Sequence, residues 1–298
     1  MKKPLLLFLL FFSALTHAQY RTDYGFYVGR ANYLGDIGNG PADRRDFIYD
    51  MQTRKTNMAF GLFMREQAIY KLGIRESLTM VQISGEDRLT VSPGRRNRNL
   101  NFRNTIIEFA LIGEFYFWEM NDVGGSGRNY KDFKTYIFGG AAVFYHNPQA
   151  QMDNKWYNLR PLRTEGQVAP YNKFCLAIPL GIGFYYTINR KTRITWDLGW
   201  RITFTDYLDD ISGNYADPKD IPTDLGRKLA NRAGEQNTPL YIPEPGDKRG
   251  DPTHKDHYLY SSIGIGRVIS KDGKVYKLSR GYLFDWRKYN KRRIRAKF

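Results

Sequence analysis

The chain has 298 residues, a net charge of +16 and one cysteine, Cys175, so an intrachain disulfide is excluded. No apolar run approaches the roughly 20 residues that a helix needs to cross a bilayer. The 22 Tyr, 19 Phe and 28 Gly, set in a chain of negative mean hydropathy, fit a barrel whose strands are half polar and whose rims carry aromatic girdles.

Residues 1–18 read as a secretory signal peptide: Lys2 and Lys3 precede an apolar stretch over 5–12, and Thr16-His17-Ala18 supplies small residues for cleavage. The mature chain is expected to start at Gln19 and to lie outside the inner membrane. Without Lys2 and Lys3 the net charge is +14. In an exported protein this points to outer-membrane lipid, lipopolysaccharide or an acidic protein partner rather than to nucleic acid.

Eight strands are predicted after that. The first, over 24–34, alternates glycine with aromatics and leaves its lipid face open. The second, 57–65, sets Met58, Phe60, Leu62 and Met64 against Ala59, Gly61 and Arg65. Residues 66–69 read as a short connection to the third strand, 70–83, whose apolar face of Leu72, Ile74, Leu78 and Met80 is interrupted by Glu76. A long loop, 84–103, holds the basic run Arg95-Arg96-Asn97-Arg98. The fourth strand, 104–118, turns Ile107, Phe109, Leu111, Phe115 and Phe117 outward, and Glu108 and Glu114 inward. A glycine-rich connection leads to the fifth strand, 133–146, and a loop over 147–170 to the sixth, 171–188. There Pro179 predicts a bulge, because it lacks a ladder donor. A tight turn at 189–191 enters the seventh strand. Its Ile194, Trp196, Leu198, Trp200, Ile202 and Phe204 share one face opposite Thr195, Asp197, Gly199, Arg201, Thr203 and Thr205. Such unbroken period-two alternation specifies a strand. The longest loop, 206–256, precedes the eighth strand, 257–269. Connections alternate long and short, as in bacterial outer-membrane barrels. The fold class is therefore all-β: an eight-stranded antiparallel transmembrane barrel over 19–270, with long external loops and a basic tail over 271–298.

An eight-stranded barrel has room inside only for side chains, so Arg65, Arg75, Glu108, Glu114, Asp197 and Arg201 are expected to pair and fill it. His146, His254 and His257 fall near the outer rim, where a His beside Asp209 or Asp210 would be the only base and orienter available to a barrel enzyme. No nucleophile motif accompanies them, and no catalytic residue or cofactor is expected. Asp206, Asp209, Asp210, Asp217 and Asp220 do not have EF-hand spacing, and with Ser212 and Gly213 they read as turn chemistry rather than a metal site. In the tail, Arg280, Arg287, Lys288, Arg292 and Arg293 are interleaved with Tyr282, Phe284, Trp286 and Tyr289. That pattern reads as a docking peptide, with aromatics to anchor and cations to steer, over the alternative of a basic end lying on anionic lipid.

Three segments together, ANYLGDIG at 31–38, AIPLGIGFYY at 177–186 and TFTDYLDDISGNY at 203–215, resemble the PorG-like outer-membrane barrels of the type IX secretion system. Tyr33, Leu34, Gly35 and Asp36 in the first, and Asp206, Tyr207, Asp209, Asp210, Ser212 and Gly213 in the last, carry the most specific part of the likeness. The resemblance implies a non-enzymatic subunit that holds a periplasmic PorK/PorN-like ring to the outer membrane, with a place in protein transport and gliding motility. The rival readings are a barrel enzyme acting on lipid A or surface peptides, and a surface adhesin working through the external loops.

Overall fold

A computed structural model describes residues 22–39, 51–69, 71–121, 132–188 and 191–269, so the signal peptide at 1–18 and the tail at 271–298 lie outside the described residues. The strands are β1 (Thr22–Leu34), β2 (Asn57–Ile69), β3 (Leu72–Glu86), β4 (Asn101–Asn121), β5 (Asp132–Tyr145), β6 (Gln149–Met152), β7 (Lys155–Asn158), β8 (Phe174–Ile188), β9 (Thr192–Thr203) and β10 (His257–Ile269). Eight of them close into one antiparallel wall in the order β1-β2-β3-β4-β5-β8-β9-β10, and β10 returns to β1. The remaining two, β6 and β7, form a small hairpin on the long-loop side, joined to the wall at Arg103 and Gln149.

The register fixes the shape of the barrel. Stepping from partner to partner, Thr22 leads through Glu66, Ile74, Gly113, Gly139, Leu180, Trp200 and Leu259 to Asn32, ten residues along β1 from the start. A stagger of that size tilts eight strands by about 40° and leaves an interior that side chains can fill.

Side chains follow the period-two pattern. Met58, Phe60, Leu62 and Met64 on β2, and Phe174, Leu176, Ile178, Leu180 and Ile182 on β8, are exposed, whereas Arg65, Arg75, Glu108, Glu114, Asp197 and Arg201 are buried. Exposed apolar positions recur on every strand of the wall, which is the outer surface of a barrel solvated by lipid. On β1 the open question of facing is settled: Tyr24, Phe26 and Val28 point out, while Asp23, Tyr27, Ala31 and Tyr33 point in. Inward glycines make room for inward rings; a Cβ on Gly61 would lie 2.2 Å from Cζ of Tyr27.

Three expectations are corrected. Residues 66–69 are not a connection: β2 runs on to Ile69 with a register shift between Glu66 and Ile69, and β3 begins at Leu72. The span 147–170 is not plain loop, since the β6–β7 hairpin lies within it. No bulge forms at Pro179. Pairing of β5 with β8 lapses between Gly139↔Leu180 and Ala142↔Ala177 but keeps its register, while Pro179 still pairs with Arg201 on β9. The missing donor affects one seam only, so no extra residue is needed to skip it. A register shift occurs instead on β4, between Tyr116 and Trp118.

Candidate functional site

The barrel interior carries a line of alternating charge. Arg193 pairs with Asp23, Asp23 with Arg65 (3.5 Å), Arg65 with Glu114 (2.9 Å), Glu114 with Arg75 (3.0 Å) and Arg75 with Asp197 (2.5 Å). Nearer the long-loop end, Arg201 pairs with Glu108 at 2.9 Å. Tyrosine hydroxyls complete the carboxylate shells: Tyr116 donates to Glu114 (2.7 Å), Tyr136 to Asp197 (2.7 Å) and Tyr258 to Glu108 (2.5 Å). Four arginines thus meet four carboxylates, and rings fill the space between them, with Arg65 about equally far from Tyr136 and Tyr185. Burying so many charges is tolerable only because each has an opposite partner. All six predicted interior charges take part. Asp23 and Arg193 were not predicted, although both share the inward parity of their strands.

At the long-loop end the two motif segments form one cap. The Tyr33 hydroxyl sits between the carboxylates of Asp209 (2.7 Å) and Asp256 (2.5 Å), with one proton to donate to either, and the same oxygen accepts from the Asp36 amide at 3.0 Å. Asp209 also accepts from the Ile211 amide, and Asp206 from the Ser212 hydroxyl. Leu208 and Ile211 turn down into the mouth and join Ile37, Ile83, Phe102, Ile106 and Tyr258 in the core. Tyr207 stacks on Tyr171 with centroids 4.5 Å apart. Gly35 sits where no side chain fits, since a Cβ would lie 1.9 Å from the Tyr33 hydroxyl and 2.1 Å from an Asp256 carboxylate oxygen. Gly35→Ala is expected to cost about 1–3 kcal/mol by overpacking, read as a lower urea midpoint of the folded barrel. An unchanged midpoint would mean that this packing does not hold the cap.

Two arginines lock the cap to the other loops. Arg98 closes a short helix, α1 (Pro93–Arg98), and binds Asp87 through two nitrogens at 2.8 and 2.9 Å. It also donates to the carbonyls of Asp36 and Arg249. Arg249 reaches Glu165 (2.8 Å) and the carbonyl of Asp210 (2.7 Å). Glu165 in turn accepts from the amides of Ser212 and Gly213. Asp210 has left-handed backbone, φ 70°, and its carboxylate accepts from Thr164 (2.5 Å) and Tyr171 (2.7 Å). A second helix, α2 (Asp224–Ala230), starts at the Thr223 cap and packs Leu229 against the β6–β7 hairpin.

Burial dominates the electrostatics of this cap. It raises the carboxyls of Asp209 and Asp256 well above the usual range, with the neighbouring carboxylates Asp36 and Asp209, respectively, adding to the effect. Burial pushes Asp210 up to about 6, and the same effect pulls His146 down to about 4.

The rim histidines find other partners than Asp209 and Asp210. His146 contacts the Asn172 carbonyl (3.0 Å) and Cys175 (3.6 Å) and stacks on Tyr171. His254 lies beside Asp251 and Thr253, and His257 accepts the Thr203 amide. Among the described residues no three His, Cys, Asp or Glu side chains assemble as metal ligands. Asp217 caps the Lys219 amide, which is turn chemistry.

A family model described as Domain of unknown function (DUF6089) matches residues 2–221. No curated protein matches the chain. Among solved structures it is similar to Ail, the attachment invasion locus protein of Yersinia pestis, in complex with the heparin analogue sucrose octasulfate. That match has 9% identity over 83% of this chain and 99% of the other, with a TM-score of 0.36. The outer membrane protein OprG of Pseudomonas aeruginosa matches at 10% identity, 85% and 96% coverage and a TM-score of 0.37. CarO2 of Acinetobacter baumannii matches at 14% identity, 82% and 99% coverage and a TM-score of 0.28.

Proposed function

The chain belongs to the family described as Domain of unknown function (DUF6089), and we propose that it is a non-enzymatic outer-membrane subunit of type IX protein secretion that holds the periplasmic ring to that membrane. The observation that carries this reading is the cap. The most specific parts of the resemblance to PorG-like barrels, 33–36 and 206–213, are one interlocked unit closed by Tyr33 on Asp209 and Asp256. Beneath it the lumen is occupied by paired charges, so the barrel acts by what it holds and not by what it conducts.

The position of the chain ends favours attachment. Thr22 and Ile269 are paired neighbours at the short-turn end of the wall. In bacterial barrels that end faces the periplasm. The basic aromatic segment containing Arg280, Tyr282, Phe284, Trp286, Arg287, Lys288, Tyr289, Arg292 and Arg293 lies outside the described residues, but it begins only eleven residues after Ile269 in sequence. On this reading it meets PorK/PorN-like ring proteins.

The test is a pull-down from detergent-solubilised outer membranes, comparing the full chain with one ending at Ser270. Ring lipoproteins are expected to co-purify with the full chain and to be lost from the shorter one. Ring proteins retained by both would move the contact to the short turns. If neither chain retains them, the secretion role is wrong.

A further inference from the structure

One charged side chain stands where lipid should be. The outward face of β3 is apolar from Leu72 to Met80, before Gln82, Ser84 and Glu86 continue it, and Glu76 stands in the middle of that apolar stretch, between Leu72 and Ile74 on one side and Leu78 and Met80 on the other. Its cross-strand neighbours are Met64 on β2 and Leu111 on β4, both exposed on the same outer face. Ile74 and Leu78 flank it along the strand and are likewise exposed. Among the described residues Glu76 has no hydrogen bond and no ion pair. Other outward charges, among them Arg30, Glu66, Glu86, Arg103 and Arg267, stand towards strand ends, where a long side chain reaches the headgroups; Glu66, opposite Ile74, is of the same sign as Glu76 and supplies no counter-charge.

The surface around Glu76 is also distinct in composition. Met58, Met64 and Met80 lie on the outer faces of β2 and β3 with Phe60, Leu62 and Leu78. The outer face of β9 instead carries Trp196 and Trp200. Methionine is soft and adaptable and is favoured at surfaces that pack against partners. An ionisable group at membrane depth is costly to leave in hydrocarbon, and it marks a site where a counter-charge is supplied.

We infer that the β2–β3 face docks a partner protein's intramembrane segment that presents a lysine or arginine to Glu76. A second copy of this chain does not fit. Two-fold packing of identical faces about the membrane normal would bring Glu76 towards Glu76, and the outward cations of the described residues lie at other levels. The inference is independent of the ring attachment, which concerns the short-turn end.

The test uses the full chain in its native membrane, with a photoreactive residue at Leu78 or Leu111, and at Ile263 on β10, outside the β2–β3 face, as control. Folding of each variant is checked by the heat-dependent gel shift of the barrel. Expected is an adduct at Leu78 and Leu111, absent at Ile263, whose cross-linked peptide lies in a membrane segment bearing Lys or Arg. Glu76→Lys should lower its yield at least tenfold, and reversing the partner's cation to Glu should restore it. Adducts to lipid only, adducts between two copies of this chain, or a yield unaffected by Glu76→Lys in a folded barrel would each overturn the proposal.

Discussion

Replacing Glu114 with Ala is expected to destabilise the barrel by about 3–5 kcal/mol or more. Glu114 is bound by two arginines, both at close range, Arg65 at 2.9 Å and Arg75 at 3.0 Å, and all three side chains are buried. Its removal leaves both guanidiniums with one carboxylate each, Asp23 at 3.5 Å and Asp197 at 2.5 Å, and strands the Tyr116 hydroxyl. The two guanidiniums and the Tyr116 ring are buried, so the penalty is desolvation without compensation. The Arg201–Glu108 pair supplies the control, because it can be removed whole. Arg201→Met alone should cost a similar amount, while Arg201→Met with Glu108→Gln should recover most of it, since no unmatched charge then stays behind. Urea unfolding of the barrel in lipid vesicles measures all three. A loss below about 1 kcal/mol for Glu114→Ala would show that the interior is wet enough to solvate its charges.

The interior was legible in the sequence because it depends on parity alone. Once β9 reads Thr195, Asp197, Gly199, Arg201 on one face, the side on which each charge stands follows from period two. Asp23 falls outside the predicted first strand, which starts at Tyr24, two residues after β1 begins at Thr22. Which carboxylate meets which arginine was not legible. Arg75 and Asp197 are 122 residues apart and meet across the lumen only because of the ten-residue stagger, which no local signal encodes. Glu76 was visible as a misfit in an apolar face, and the structure keeps it a misfit.

The cap was hidden for a different reason. Leu208 and Ile211 sit among Asp206, Asp209 and Asp210, so the segment reads as an exposed acidic turn. It is buried because the barrel mouth offers apolar rings and aliphatics, Phe102, Ile83 and Ile106, for Leu208 and Ile211 to pack against. The carboxylates then follow their backbone inward and must find donors, which Tyr33, Ser212, Thr164 and Tyr171 provide. Helix α2 did carry a signal, Thr223 followed by Asp224 in its first turn, but the surrounding prolines pointed to loop.

Acid should tighten this cap through Asp210 and loosen it through His146, and the two effects separate by substitution. Burial holds Asp210 at about 6, against 3.8 in the unfolded chain, so between those values the folded state binds more protons. Its contribution is full below the lower value and is lost as pH rises through about 6, a change of ~3 kcal/mol. His146 has the opposite sign. Held at about 4 instead of 6.5, it favours the folded state above 6.5, and that advantage is lost as pH falls through about 4. Asp209 and Asp256, both raised by burial, act in the direction of Asp210. Asp210→Asn keeps a residue that tolerates the left-handed backbone and removes the titration. Relative to wild type, this variant should lose Asp210's share of the gain in protection that acid gives, keeping only what Asp209 and Asp256 supply. His146→Gln should increase that gain, because only the carboxyls then remain. Amide hydrogen exchange of residues 204–256 between pH 7 and pH 4.5, corrected for intrinsic rates, reads the opening free energy directly. If both variants follow the wild-type profile, neither group titrates in the folded cap, and the mouth is open to water in a way that its buried hydrogen bonds do not allow.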